Sequence, residues 1–377
     1  MKMNMKQLAL GTAVAGTLAA LPMSASATNG ILAYGNGMVA HGIGGAGVAN
    51  AGEGMSAVDN PALAADVGGG WSIQASGFNP NRSANMGRGY VESGDDWFLI
   101  PGGHWFIDVG DNITTGFTIS ALGGMSTDYP AELFGAAAGI NLEGVIIAPT
   151  IATQLNDKVS IGGAILFGYE SLETNGPGIP PLPGNQEDSA TGWGFELGMA
   201  IRPADGTTIG IDYQSKIDMD EMDEFSQTIF AGAQDKQLTL PPIWTIGISQ
   251  EIGDNWKLHF DVSDVPWSEV GVINEVFGWE DQTVYKIGAE VALQNDWTLR
   301  FGYNHGDSPI PDSAVMQNIL APAVTEDHYT IGFTKEFDAG NLHGYYARIT
   351  ENEQTQNPVP PGFPTAQIKM DQNAFGL

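Results

Sequence analysis

Cysteine is absent from this chain of 377 residues, which excludes disulfides and thiolate metal sites. Lysine and arginine are scarce, 14 against 44 aspartates and glutamates. The net charge of -30 leaves no basic surface for a phosphate backbone, so a nucleic-acid partner is excluded. All charged residues together make up 15% of the chain, against roughly 25% in a soluble domain. The six histidines (41, 104, 259, 305, 328 and 343) are far apart in sequence, and no short ligand spacing indicates a metal. No G-x-S-x-G elbow and no Ser/His pairing is visible, so no catalytic residue is nominated and no cofactor is expected. Beyond the first two dozen residues no apolar run is long enough to cross a bilayer as a helix.

What is present begins with an address. Lys2 and Lys6 precede an apolar run from Leu8 to Leu21, closed by Ala25-Ser26-Ala27. This is the pattern of a secretory signal peptide over residues 1–27, with the mature chain starting at Thr28. The mature chain has 44 acids against 12 bases, or -32. An exported chain without an apolar helix is either a soluble secreted protein or an outer-membrane barrel, because only helices and closed barrels satisfy their backbone in lipid.

Period-two alternation favours the barrel. One face of the segment from Lys158 to Tyr169 carries Val159, Ile161, Ile165, Phe167 and Tyr169, and the other is built from Ser160, Gly162, Ala164 and Gly168. The pattern repeats at Trp193, Phe195, Leu197, Met199; at Trp256, Leu258, Phe260, Val262; and at Tyr285, Ile287, Ala289, Val291. Fourteen such runs are expected, near 71–79, 97–109, 113–122, 145–155, 158–170, 191–202, 207–217, 238–251, 255–264, 281–293, 296–304, 327–338, 341–350 and 367–377. Tight Asp/Asn/Gly turns alternate with seven long connections of roughly 16 to 22 residues, as in a barrel with short periplasmic turns and long outer loops. The fold class is therefore all-β: a 14-stranded antiparallel transmembrane β-barrel over 68–377. A barrel this wide has a lumen to fill. The Gly/Ala-rich stretch 28–67, without alternation, is the expected plug.

Within that stretch Gly42-Ile43-Gly44-Gly45-Ala46-Gly47 fits G-x-G-x-x-G, but no apolar strand precedes it and a dinucleotide site is discounted. The stretch His41 to Ala49, followed by Ser56-Ala57-Val58-Asp59-Asn60-Pro61-Ala62, resembles the N-terminal hatch of the FadL/TodX family of outer-membrane transporters. Asn60-Pro61-Ala62 is that family's most recognisable mark. Trp297 to Tyr303, Ser308-Pro309-Ile310-Pro311, Asn318 to Pro322 and His328 to Gly332 resemble its late-barrel pattern. The family ends its last strand on an aromatic residue, whereas this sequence reads Phe375-Gly376-Leu377, so either the sequence is clipped by several residues or Phe375 serves in that place.

The resemblance implies a channel for long-chain fatty acids or hydrocarbons, with capture by outer loops, passage by a hatch (Gly42, Gly44, Gly45, Asn60, Pro61, Ala62) and lateral release through the wall. It also implies a multi-pass outer-membrane location, a monomer, and outer-membrane lipid, lipopolysaccharide and the barrel-assembly machinery as partners. The capture loops should be Ser171 to Ala190 and Asp218 to Lys236. The second carries Met222, Phe225 and Ile229 at helical spacing, with Met219 and Phe230 nearby. Alternation turns Glu196, Arg202, Lys257, Asp261, Lys286, Glu290 and Arg300 toward the lumen. A carboxylate ligand needs an unneutralised cation, for which Arg300 and then Lys286 are the candidates. Pro101-Gly102-Gly103 and Pro149 interrupt the strands flanking the third; the expected lateral gate is an inward bend of the third strand near Gly116. The alternatives are a nonspecific porin and an outer-membrane barrel lipase.

Overall fold

The computed structural model describes residues 28–94, 96–178 and 182–377; the expected leader lies outside them. Fourteen long strands form a closed antiparallel ring: β1 (Gly70–Met86), β2 (Phe98–Val109), β3 (Ile113–Tyr129), β4 (Ala138–Asn156), β5 (Val159–Asn175), β6 (Gln186–Ala204), β7 (Thr207–Gln214), β8 (Ile243–Ile252), β9 (Trp256–Val265), β10 (Gln282–Leu293), β11 (Trp297–Gly306), β12 (Asp327–Phe337), β13 (Gly340–Thr355) and β14 (Ala366–Gly376). Each pairs with its sequence neighbours, and β14 closes on β1 from Ser76↔Gly376 to Met86↔Ala366. Two short strands, Tyr90–Glu92 and Asp218–Met219, lie on the rim.

The outward face is the apolar one. Ile165, Phe167, Trp193, Leu197, Ile246, Phe260, Ile287 and Phe301 are all exposed, and in water such a surface would be an aggregation site. In lipid it is the required one, and ring closure leaves no unpaired edge. The six tight turns fall at one end, at 110–112, 157–158, 205–206, 253–255, 294–296 and 338–339. Asn295 and Asp296 both take φ near +60°, the left-handed conformation that short polar side chains tolerate best.

At the other end several strands continue well past their expected limits. β3 runs to Tyr129, β4 starts at Ala138, β5 runs to Asn175 and β13 to Thr355, so the connection 130–137 is short. The extension of β3 could not be seen as alternation because both of its faces are covered: residues 118–120 and 122–127 are all buried. Strand β7 ends earlier and β8 begins later than expected; Pro241-Pro242 withholds two ladder donors just before β8.

Residues 28–67 lie inside the ring as short helical turns, α1 (Gly37–Gly42), Gly54–Val58, Pro61–Leu63 and Ala64–Val67, joined by coil. Paired inward glycines on the wall seat this segment. Gly162↔Gly198 receives Asn60 to Ala62, Gly210↔Gly247 receives Val48, and Gly288↔Gly302 receives Ile43 and Gly44. A β-carbon at Gly302 would stand 2.0 Å from the nitrogen of Gly44, and one at Gly210 2.0 Å from the oxygen of Val48. No larger residue fits between segment and wall at these seats.

Candidate transport path

Hydrogen bonds fix the inner segment to the wall. Asn60 accepts from Ala62 N at 3.0 Å, starting the Pro61–Leu63 turn, and donates to Val48 O at 2.8 Å and to Met199 O on β6 at 3.1 Å. Pro61 needs no donor at the first position of that turn. Thr330 receives Gly44 N at 3.0 Å and donates to Gly42 O at 3.1 Å. Gly45 adopts φ +82°, and a β-carbon there would meet Tyr34 O at 1.8 Å, so the chain turns back on itself only with glycine. The resemblance's hatch residues thus all stand at contacts within the segment or to the wall. Replacing Asn60 by Ala removes three hydrogen bonds, each worth about 1 kcal/mol. We expect faster proteolysis of residues 28–67, by roughly tenfold or more, in intact barrels read by mass spectrometry.

A polar latch lies beside the seats. Glu290 is 2.7 Å from Arg300 Nε and 3.0 Å from His259, and it accepts from Asn50 Nδ2 at 3.0 Å. Arg300 Nη1 donates to Thr334 at 2.6 Å, and Lys257 donates to Asn50 at 2.7 Å. At the tight-turn end Arg202 pairs with Asp66. Arg300, the first candidate for a carboxylate ligand, is therefore already neutralised by Glu290. The sequence placed both in the lumen but could not pair them, because Glu290↔Arg300 is a cross-strand register. Lys286 instead faces a chamber of about 120 Å³ whose lining includes Asp59, Glu196, Asp212 and Asp261 as well as Leu122, Ile146, Leu240 and Val265. Burial pushes the carboxyl of Asp59, on the inner segment, up to about 6.

The outer end is sealed by an apolar roof. Met219, Met222, Phe225 and Phe230 are fully buried, with Ile229 packed against them, in one cluster with Leu238, Leu240, Trp267, Ile273 and Trp279. The helical spacing of Met222, Phe225 and Ile229 does not produce a helix. Only Asp223–Phe225 makes a helical turn, because five acids crowd Asp218 to Glu224 and the chain pairs as strand instead, Met219 with Gly192 and Glu221 with Gln237. Lys236 donates to the carbonyls of Phe230, Ala231 and Ala233, closing the turn. The loop rests on the outer extension of β6, where Thr191 donates to Asp220 at 2.7 Å and Asp188 receives Glu224 N at 3.1 Å. Trp267 and Trp279 meet edge to face at 5.1 Å over Gly30. The sequence signalled neither tryptophan, since each lies in a loop.

Between β2 and β3 the pairing of the wall stops part-way up. β2 and β3 pair from Gly103↔Ile119 down to Val109↔Ile113; above that, among the described residues, 98–102 make no ladder pairs with 120–129. The expectation of a bend at Gly116 is corrected: Gly116 pairs on both sides, with Phe106 and with Thr150. The departure is at Leu122, the extra residue of a bulge between Ala121↔Val145 and Gly123↔Gly144. Beyond it Gly124 N donates to Ile31 O of the inner segment at 3.0 Å. Pro149 breaks a different ladder, β4 with β5, where pairing skips from Ile147↔Phe167 to Thr150↔Ala164. Pro101 and Gly102 do border the gap, facing β1 as Ala75↔Pro101 and Gln74↔Gly102. Phe78, Phe98, Met125 and Met370 line it, and Arg82 reaches across its top to the carbonyls of Ser126 and Gly94.

A family model described as outer membrane protein transport protein (OMPP1/FadL/TodX) matches residues 12–357. The long-chain fatty acid transport protein of Escherichia coli O6:H1 is 21% identical over 322 residues, covering 67% of this chain and 71% of the relative. That of Salmonella typhi is 21% identical over 312 residues, with the same coverage. The fold is similar to the crystal structure of a Pseudomonas aeruginosa FadL homologue, with a TM-score of 0.68 at 15% identity over 94% of this chain and 99% of that one. It is equally similar to the Pseudomonas putida toluene transporter TodX, with a TM-score of 0.68 at 15% identity over 93% and 99%. The closed fourteen-strand ring and the match over most of the sequence lead to one conclusion: this chain belongs to the OMPP1/FadL/TodX family of outer-membrane transport proteins.

Proposed function

We propose that this chain is a diffusion channel for hydrophobic molecules, long-chain fatty acids or hydrocarbons, with outer loops that capture, an inner segment that acts as hatch, and a wall gap that releases sideways. The observation that carries this reading is the separation of β2 from β3 above Gly103 and Ile119, bordered by apolar side chains. Each CH₂ moved from water to apolar surroundings gains about 0.8 kcal/mol, so a long chain favours an apolar route ending in lipid over a water-filled bore. The relatives' printed names, a long-chain fatty acid transport protein and a toluene transporter, support the same class. A substrate would enter by replacing roof contacts around Met222, Phe225 and Phe230, and leave past Leu122 and Met125.

A nonspecific porin is disfavoured because residues 28–67 occupy the seats across the bore. The chain would work as a monomer in contact with outer-membrane lipid and lipopolysaccharide. Insertion by the barrel-assembly machinery would use Phe375, which stands exposed on the lipid face of β14.

The test is deletion of Leu122. Without the bulged residue β3 can continue beside β2 and close the ladder. Uptake of a labelled alkane or fatty acid by cells lacking other such channels should fall by about tenfold or more, while the purified barrel keeps its folded, heat-modifiable mobility. Undiminished uptake by a folded variant would remove the lateral route.

A further inference from the structure

The separation of β2 from β3 is a framed window. Its lower rung is Gly103↔Ile119. At the upper end the chain ahead of β2 returns to β3, where Gly94 N donates to Asp128 O at 2.8 Å and Asp128 N donates to Ser93 Oγ at 2.8 Å. Between these closures 96–102 and 120–127 do not pair with each other among the described residues. Phe78, Phe98, Met125 and Met370 fill the opening and leave about 10 Å³ free, so nothing passes until a side chain moves. Arg82 lies across it. This residue of β1 is 2% exposed, and it donates to Ser126 O on β3 and, at 2.7 Å, to Gly94 O. Its guanidinium stands 5.7 Å from the centre of the Phe98 ring, and Asp96, half exposed, is 3.8 Å away. An arginine held by neutral carbonyls among apolar side chains is a costly element of a membrane wall, and such residues mark transport paths.

We infer that Arg82 is the specificity residue of this window: it takes the carboxylate head of a departing fatty acid and in doing so lets go of β3. The inference rests on the transport reading and narrows its substrate class to long-chain carboxylates ahead of hydrocarbons. A carboxylate presents two acceptor oxygens that match the planar guanidinium, and charge-assisted bonds of this kind are roughly twice as strong as those to neutral acceptors. The head can therefore displace the carbonyls of Ser126 and Gly94. With the head at Arg82, the tail lies along Phe78, Phe98 and Met125. Trp97 and Leu99, exposed on the same edge of the window, continue that apolar surface toward lipid. An alkane has no acceptor to exchange for the two carbonyls, so it leaves the clamp closed.

The experiment compares uptake of labelled hexadecanoate and labelled hexadecane by cells lacking other such channels. In Arg82→Met, whose apolar side chain suits the surrounding Phe78, Phe98, Met125 and Met370, hexadecanoate uptake should fall by about tenfold or more while hexadecane uptake holds or rises. Arg82→Lys keeps the charge but loses the fork, so its hexadecanoate uptake should lie between those of Arg82→Met and the wild type. A measurement on the unaltered protein accompanies these variants. Hydrogen exchange of 96–102 and 120–129 in the detergent-purified full chain should accelerate with hexadecanoate and not with hexadecane. Equal changes for both substrates in a folded Arg82→Met barrel, or exchange that hexadecanoate does not accelerate, overturn the inference and leave the transport reading standing. Uptake of neither substrate by the wild type overturns both.

Discussion

Leucine at Gly210 or Gly302 is expected to raise the conductance of the reconstituted channel by about one to two orders of magnitude. At both sites the first added atom would lie 2.0 Å from backbone of the inner segment, at Val48 O or Gly44 N. Backbone on both sides cannot rotate away as a flexible side chain would, and overpacking of this kind costs roughly 1–3 kcal/mol. The strain is relieved if the segment leaves its seat. Since 1.4 kcal/mol is a factor of ten in population, the unseated state should gain that much or more. Gly70 is the control, because a β-carbon there meets nothing within 4 Å and leucine should leave conductance unchanged. Single-channel recordings in planar bilayers, with sensitivity of expressing cells to large hydrophilic antibiotics, measure the effect. Folded variants with wild-type conductance at both seats would show that residues 28–67 do not seal the bore.

The second large effect concerns Arg300. Replacing it with methionine leaves Glu290 buried and facing only His259 and Asn50, with Lys257 one step away through Asn50. Removing one partner of a buried pair costs about 3–5 kcal/mol, most of it the uncompensated charge left behind. Replacing both, Arg300→Met with Glu290→Leu, removes that charge and should recover most of the loss. Reversible urea unfolding of the barrel in lipid, followed by tryptophan fluorescence, gives both numbers. A single variant no less stable than the double would mean that Glu290 reaches solvent and that the latch contributes little. Because Asn50 also binds Glu290, the single variant should loosen the inner segment as well, and the conductance assay detects that independently.

The barrel was legible because lipid and lumen impose opposite chemistry on alternate residues. Trp193, Phe195, Leu197 and Met199 repeat every second position, and all four are exposed on the outer face. The glycines of the other face, such as Gly162 and Gly198, were also in plain view. Their pairing into seats was not, because it depends on the β5–β6 register. Alternation fails wherever both faces of a strand are covered. That is why β3 was read as ending near residue 122, where it in fact bends inward and continues to Tyr129. Helical spacing fails in the roof for a related reason: Met222, Phe225 and Ile229 are spaced for a helix, but acid repulsion and pairing with β6 hold the chain as turn and strand while burying the same side chains.

The sequence by itself determined the compartment, the strand number, the outward apolar face and the segment available to fill the bore, since each follows from local composition and a period of two. Only the tertiary structure decided where the wall parts and which lumen cation is neutralised. Those depend on contacts between residues hundreds of positions apart, such as Val48 with Asp261 and Asn50 with Glu290. Ring closure sets such distances, and no local pattern carries them.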